Sequence, residues 1–215
     1  MPYNLQFISS LGKAGHALLI DCRSLDYQLA PLPDEAAVLI VDTSAPRTLA
    51  GSAYNERFAQ CQSAATTFGV ASLRDVTPVE FERRRGELSG LVAQRVEHVI
   101  YESLRTLEAV QAMREGDLTR LGLLMNQSHD SLRDLYEVSS LELDSVVNIS
   151  RKVKGVFGAR MTGAGFGGCA IALVRNDALE AAKQAVLDEY PRLTGRQPKV
   201  YPCVASDGAS WQAIQ

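Results

Sequence analysis

The hydrophobic pattern of the chain changes period along its length, and the order of these changes limits the folds open to it. Two short apolar runs, 17–21 and 37–42, have the length and composition of strands. Apolar residues then recur every three to four positions through 88–113, which predicts one long amphipathic helix. The continuous apolar run 169–174 predicts a buried strand, and 199–204 predicts a last one after a further helix. This order predicts an α+β domain, with a mainly antiparallel sheet and helices packed on one side.

Capping residues indicate where the helices begin and end. Thr77-Pro78-Val79-Glu80 forms a capping box with proline at the first helical position, and Gly116-Asp117 ends one helix and caps the next. Further N-terminal caps are predicted at Ser52, at Ser139 paired with Glu142, and at Asp177 paired with Glu180.

Composition excludes several classes of partner. The 215 residues are 46% hydrophobic, enough for one substantial core, and the net charge of -3 gives no basic field to attract nucleic acid or an anionic membrane. No apolar run approaches the roughly 20 residues of a membrane span. The four scattered cysteines include no Cys-x-x-Cys pair and are expected to be buried thiols of a reducing compartment, so we expect a cytoplasmic protein. His16, His98 and His129 are too far apart in sequence to suggest a metal site.

The densest local signal is the glycine-rich segment Met161 to Cys169. Four of the six residues 163–168 are glycine, so backbone amides could face one concavity and let an anion approach closely. A tight turn into a buried strand explains the same residues equally well. A dinucleotide-binding loop is disfavoured because a strand follows rather than a helix, and no Gly-Lys-Ser or Gly-Lys-Thr supports a Walker loop.

Tyr54 lies near the start of a predicted helix, where helix ends commonly border clefts. Composition alone makes it an ordinary amphipathic tyrosine. Its candidacy as a ligand contact comes from the resemblance described next.

The order of several short motifs resembles galactokinases of the GHMP kinase superfamily over essentially the whole chain. The motifs are Phe7-Ile8-Ser9 with Gly12-Lys13, 19–25, 52–57, 95–98, Asn126 with Ser128-His129, Asp134 with 136–139, and 158–162. The resemblance implies the C-terminal domain of such a kinase, occupying 1–215, with the N-terminal nucleotide-binding domain absent.

The family resemblance assigns roles to two parts of the chain. Tyr54 is similar to the tyrosine that hydrogen-bonds galactose. The loop Met161, Thr162, Gly163, Ala164, Gly165, Phe166, Gly167 and Gly168 resembles the third family motif, which lies near the transferred phosphate, with Ala164 where many members have glycine. ATP and Mg²⁺ are implied for the complete enzyme, while this chain alone is expected to bind neither and to hold no metal.

One residue departs from the family pattern in a way that affects catalysis. Galactokinases carry Met-Asp-Gln before Phe-Ile-Ser, and this chain has Asn4-Leu5-Gln6. Leu5 cannot accept a proton, and a general base contributes about 10²- to 10⁴-fold in rate. The motifs for sugar and nucleotide recognition lie upstream in the family, so the chain alone is expected to be inactive, with no catalytic residue of its own.

These expectations leave two functions open. The first is the C-terminal part of a kinase that converts galactose, or a related hexose such as N-acetylgalactosamine, to its 1-phosphate with an N-terminal half as partner. The second is a non-catalytic sugar-sensing or regulatory module derived from such a kinase. In either case an exposed domain boundary is expected to favour self-association.

Overall fold

The computed structural model of the chain describes residues 3–46 and 50–210, except for the side chains of residues 3–5, 50 and 52. The helices are α1 Tyr3–Leu11, α2 Ala50–Phe68, α3 Pro78–Arg84, α4 Gly90–Glu115, α5 Leu118–Asp134, α6 Leu141–Lys152 and α7 Leu179–Thr194. The strands are β1 His16–Ile20, β2 Tyr27–Pro31, β3 Ala36–Asp42, β4 Val156–Thr162, β5 Cys169–Arg175 and β6 Lys199–Cys203.

Four strands form an antiparallel sheet in the order β4-β5-β3-β6, and β1 pairs with β2 in a separate hairpin. Alternate residues of the sheet point towards α6 and α7, as the period of two in a strand requires. The resulting core contains Leu39, Val41, Ala170, Ala172, Val174, Leu143, Val146, Val147, Val186 and Tyr190. The predicted α+β class, with a mainly antiparallel sheet and helices on one side, is confirmed.

Helix α5 runs along the free edge of β4, where it takes the place of a further strand. The amide of Ala159 donates to Asn126 Oδ1 over 2.9 Å, and the amide of Met161 donates to His129 Nδ1 over 3.2 Å. Gly122 and Gly158 permit this approach, since a Cβ on Gly158 would lie 2.0 Å from the Gly122 carbonyl oxygen. The edge that α5 covers leads directly into the glycine-rich loop.

A second core lies between α2, α3 and α4. It contains Ala64, Ala65, Phe68, Leu73, Val76, Phe81, Val96 and Ile100. This core fixes α2, which carries Tyr54, against the long helix α4.

Several helix ends agree with the sequence. Thr77 Oγ1 accepts from the Glu80 amide over 3.2 Å, and Asp117 Oδ1 accepts from the Arg120 amide over 2.8 Å. Gly116 ends α4 in the left-handed conformation, with φ of 70°.

Three predicted caps were wrong. Ser140, not Ser139, caps α6 by accepting from the Leu143 amide. A 3₁₀ turn precedes α7, and Asp177 accepts from Arg175 instead of capping the helix. Helix α2 begins at Ala50, so Ser52 lies inside it, and the Ser52 side chain is outside the described residues.

Two strands and the burial of all four cysteines differ from expectation. Strands β2 and β4 were not predicted, so the glycine-rich loop follows a strand as well as preceding one. Cys22 is exposed, and Cys61, Cys169 and Cys203 are half-buried rather than buried.

Candidate functional site

The glycine-rich segment, residues 163–168, connects the paired strands β4 and β5 and is called the glycine loop below. Gly163, Gly165, Phe166, Gly167 and Gly168 have φ between 57° and 106°, so Ala164 alone in the loop lies outside the left-handed region. Glycine adopts these conformations without a steric penalty, and alanine is acceptable where φ is negative. The side-chain pattern of the loop therefore follows its backbone conformation.

One side of the glycine loop contacts the connection between α5 and α6, residues 135–139. The Phe166 amide donates to the Val138 carbonyl over 2.8 Å. A Cβ on Gly165 would lie 2.0 Å from the same carbonyl oxygen and 2.9 Å from Met161 Cε. Only glycine fits at this point, because the two backbones are in direct contact.

The other side of the glycine loop rests on the segment that follows β3. Thr43 Oγ1 and the Thr43 amide donate to the Gly168 carbonyl over 2.7 and 2.9 Å. The buried Tyr190 hydroxyl donates to the Thr43 carbonyl over 2.7 Å, which ties this segment to α7. Gly167 lies against Ala45, whose carbonyl oxygen would be 3.2 Å from an added Cβ.

The 135–139 connection is held by two buried arginines from different helices. Arg57 of α2 donates through Nε to the Tyr136 carbonyl over 2.7 Å and through Nη2 to the Glu137 carbonyl over 3.4 Å. Arg95 of α4, whose side chain is 1% exposed, donates to the Leu135 carbonyl and to the Glu137 carboxylate. Glu137 has a left-handed φ of 52°, an unfavourable conformation that these contacts hold in place.

A buried histidine and a carboxylate support the start of the glycine loop. Because His129 Nδ1 accepts from the Met161 amide, the proton of the neutral ring is on Nε2, which lies 3.2 Å from Asp144 Oδ1. Ser139 donates to the same Asp144 oxygen. Burial raises the pKa of Asp144, but its interactions with His129 and Ser139 outweigh it and leave the pKa below its usual value.

Tyr54 lies in the first part of α2, one turn before Arg57, and its side chain is half exposed. The neighbouring Tyr136 stacks on His98, with 4.5 Å between ring centroids. Burial raises the pKa of Tyr136, and Cys61 and Tyr54 raise it further. Tyr54 is thus near the 135–139 connection, which contacts the glycine loop at Val138.

The arrangement has the elements of an anion site but not of a metal site. The exposed part of the glycine loop is Gly163 and Ala164, while Gly165, Gly167 and Gly168 are buried. Anion-binding nests are formed by successive backbone amides where left-handed and other conformations alternate, and Gly163, Ala164 and Gly165 show such an alternation. Within 3–46 and 50–210, no group of three His, Cys, Asp or Glu side chains is placed to hold a metal ion.

Two other observations complete the description of the sequence-derived candidates. Leu5 belongs to α1, and its side chain is outside the described residues. Among the helices of residues 3–46 and 50–210, none is long and apolar enough to cross a membrane.

Sequence reasoning named the glycine loop and Tyr54 as candidates but not the groups whose contacts surround the loop. Arg57, Arg95, His129 and Asp144 come from four helices, and their contacts join residues 15 to 80 positions apart in sequence. The available signal was the presence of Arg57, Arg95 and His129 inside the family motifs at 52–57, 95–98 and 128–129, whereas Asp144 lies in none of the motifs. Their structural role required the three-dimensional contacts.

The comparisons with known proteins agree with this geometry. Residues 109–192 match the family described as GHMP kinases C terminal. A galactokinase of Haemophilus influenzae (strain PittEE) is 45% identical over 207 residues, which cover 94% of this chain and 54% of that protein. The chain spans about half the length of the curated relatives that it matches.

Solved structures give the same result. The Lactococcus lactis galactokinase, determined with galactose, superposes with a TM-score of 0.90 and 38% identity, covering 95% of this chain and 54% of the other. A mevalonate kinase from L. major, with a TM-score of 0.58 and 24% identity over 90% of this chain and 50% of its own, shares the fold. Residues 109–192 therefore match a GHMP kinase C-terminal domain, and the chain over almost its whole length is similar to the C-terminal half of galactokinases.

Proposed function

We propose that this chain is the C-terminal half of an ATP-dependent kinase that phosphorylates galactose at its anomeric hydroxyl. The observation that carries the proposal is the superposition of 95% of the chain on a galactokinase that was solved with galactose, at 38% identity. The glycine loop, which the family resemblance assigns to phosphate, bonds to the 135–139 segment, and Arg57, one turn after the sugar-assigned Tyr54 on α2, bonds to the same segment.

In the proposed reaction, the anomeric oxygen of the sugar forms a bond to the γ-phosphorus of ATP while the bond to the β-phosphate oxygen breaks. ADP leaves, and the hydroxyl proton passes to a base. Phosphoryl transfer depends mainly on positioning and on stabilising charge on the phosphate oxygens. The glycine loop would contribute backbone amides as neutral donors, and Mg²⁺ would enter with ATP as part of the substrate, with no described side chain assigned to it.

Tyr54 would contact the sugar through its half-exposed hydroxyl. A neutral hydrogen bond contributes about 0.5 to 1.5 kcal/mol, so Tyr54 would tune sugar affinity up to roughly tenfold. The groups that bind nucleotide and take the proton would come from an N-terminal half, in the same polypeptide or in a second one.

Leu5 favours a second candidate function, a sugar-binding regulatory module without chemistry. A leucine at the position of the family aspartate removes the proton acceptor but leaves Tyr54 and the glycine loop intact. Such a module would bind a hexose without consuming ATP.

The two functions differ in a coupled ADP-release assay with MgATP and galactose. We expect no galactose-dependent turnover by residues 1–215 alone, and turnover when a separately expressed galactokinase N-terminal half that ends on the aspartate is added. Turnover by the chain alone, above a heat-killed control, would contradict the proposal. Galactose binding by the chain without turnover in the mixture would favour the module, and a panel including N-acetylgalactosamine would define the hexose.

A further inference from the structure

The glycine loop is connected to the Tyr54 turn of α2 through three consecutive carbonyl groups. Arg57 binds the carbonyls of Tyr136 and Glu137, and the next carbonyl, that of Val138, accepts from the Phe166 amide of the loop. Tyr54 and Arg57 are three residues apart on α2 and therefore neighbours on its surface.

Arg57 is suited to fixing this backbone rather than to binding substrate. Its side chain is 10% exposed, and its two bonds to carbonyls are charge-assisted, which makes them about twice as strong as neutral hydrogen bonds. Arg57 Nη1 lies 3.4 Å from both Gln60 Oε1 and Glu56 Oε1, so the guanidinium group is held in one orientation.

The backbone that Arg57 holds has an intrinsically unfavourable conformation, since Glu137 has a φ of 52°. A non-glycine residue in this region persists only where surrounding contacts determine its conformation. Arg95 bonds to the Leu135 carbonyl and the Glu137 carboxylate, and Arg57 bonds to the Tyr136 carbonyl. The position of the Val138 carbonyl, and with it the Gly165-Phe166 part of the loop, depends on both.

We propose that Arg57 is a positioning residue that sets the geometry between the sugar-binding turn of α2 and the glycine loop. The structural part of this inference stands on the contacts of this chain, and its catalytic part rests on the proposed function. Loss of Arg57 is expected to loosen the loop and to lower the rate of phosphoryl transfer more than the affinity for the sugar.

Arg84, the last residue of α3, provides a matched control because it bonds to the opposite end of α2. It also binds two backbone carbonyls of α2, donating to Thr67 over 2.8 Å and to Phe68 over 3.3 Å. Arg84→Gln therefore removes a similar pair of hydrogen bonds to backbone carbonyls, at the end of α2 that lies far from Tyr54.

The first test measures amide hydrogen exchange in residues 1–215. In Arg57→Gln, the Phe166 amide is expected to exchange at least about tenfold faster, the loss associated with one charge-assisted hydrogen bond, while amides in the centre of β5 report global unfolding. Arg57→Lys keeps the positive charge but loses the planar guanidinium group, so the Phe166 amide should exchange at an intermediate rate. In Arg84→Gln the exchange rate of the Phe166 amide should be unchanged. An unchanged Phe166 rate in Arg57→Gln, or equal acceleration in Arg84→Gln, would overturn the proposal.

The second test separates positioning from sugar binding in a chimera of a galactokinase N-terminal half with residues 6–215. Arg57→Gln is expected to lower kcat at least about tenfold and to change KM for galactose less than about threefold, because an interaction that serves only the transition state acts on kcat. A raised KM with unchanged kcat would contradict the positioning role. An inactive parent chimera would count against the proposed function, and the exchange measurement would still decide the role of Arg57 in the loop.

Discussion

At the residue scale, the glycine loop shows a direct relation between backbone conformation and side-chain identity. Gly165 combines a φ of 84° with a carbonyl oxygen only 2.0 Å from where a Cβ would lie. Ala164, the next residue back, has its side chain in the exposed part of the loop and no positive φ. The substitution of alanine for glycine at 164 relative to many family members is therefore accommodated.

This difference predicts that two changes of a single methyl group affect the stability of the fold to different extents. Gly165→Ala is expected to lower the free energy of unfolding by about 1 to 3 kcal/mol, because the left-handed conformation and the contact with Val138 both oppose a methyl group. Ala164→Gly is expected to change it by less than about 1 kcal/mol. Urea denaturation of both variants measures the difference, and equal stabilities would show that the loop can move away from Val138 freely.

His98 gives the fold a dependence on pH. The ring is 5% exposed, and its Nδ1 lies 2.8 Å from Ser131 Oγ. Burial lowers the pKa of His98 from 6.5 to about 4, opposed by Glu102 and reinforced by Arg105 and other arginines. The folded state therefore favours the neutral ring, and the unfolded chain binds the proton more readily.

The sign of the pH effect follows from this depressed pKa. The stabilising contribution of neutral His98 is complete above pH 6.5 and is lost as the pH falls towards 4, to a total of about 3 kcal/mol. His98→Gln, which cannot take up a proton, should show a flatter dependence of unfolding free energy on pH between 4 and 6.5. Parallel curves for His98→Gln and the unaltered chain over this range would refute the assignment.

At the element scale, sequence patterns predicted the elements whose information is local and missed those whose partners are distant. Helix α4 and the caps Thr77 and Asp117 follow from periodicity and short-range hydrogen bonds. Strand β4 contains Gly158 and Arg160 and lacks a clear alternation, and its pairing with β5 shifts register between Val156 and Gly158. Strand β2 is short, largely exposed and ends in proline.

The site shows the same division. The glycine loop was recognisable because four of its six residues are glycine, and Tyr54 because its motif is contiguous. The supports of the loop were not predictable, since Arg57 acts on carbonyls about 80 residues away and any residue type can supply a carbonyl. The neighbouring serines 139 and 140 show how a cap can be misplaced by one residue. Either hydroxyl could cap α6 from the sequence, but in the structure Ser139 bonds to Asp144 and Ser140 accepts from the Leu143 amide.

The edge of β4 yields a prediction about α5. Asn126→Leu removes the acceptor for the Ala159 amide, and residue Ala159 is only 1% exposed. Because this buried donor would be left without a partner, the free energy of unfolding should fall by about 1 to 3 kcal/mol. Gln127→Leu, at the next and exposed position, is the matched control and should change stability by less than about 0.5 kcal/mol. Equal effects of the two variants on the urea midpoint would show that α5 does not serve as the edge partner.

At the scale of the whole molecule, the chain is similar to about half of each galactokinase that it matches. Exposed apolar side chains such as Phe58, Leu141 and Leu193 are more than half accessible, and the self-association expected from an unpartnered boundary stays a prediction. Sedimentation over a range of concentrations, with and without an added N-terminal half, would test it. A monomer at all concentrations would contradict it.

Leu5 sets a quantitative expectation for the complete enzyme. In a chimera of a galactokinase N-terminal half with this chain, Leu at position 5 should give a kcat about 10²- to 10⁴-fold below that of the Leu5→Asp version, because only aspartate can accept the hydroxyl proton. Comparable KM values for MgATP in the two chimeras would show that both bind nucleotide. Equal kcat values would mean that position 5 does not supply the base.

The most direct test of the central claim is galactose-dependent ADP release by the chimera that carries aspartate at position 5 and residues 6–215 of this chain. The account predicts steady turnover that requires galactose and MgATP, and its loss in Gly165→Ala, where the glycine loop is displaced from Val138. A folded, soluble chimera that releases no ADP in response to galactose would contradict the claim that this chain completes a galactose kinase.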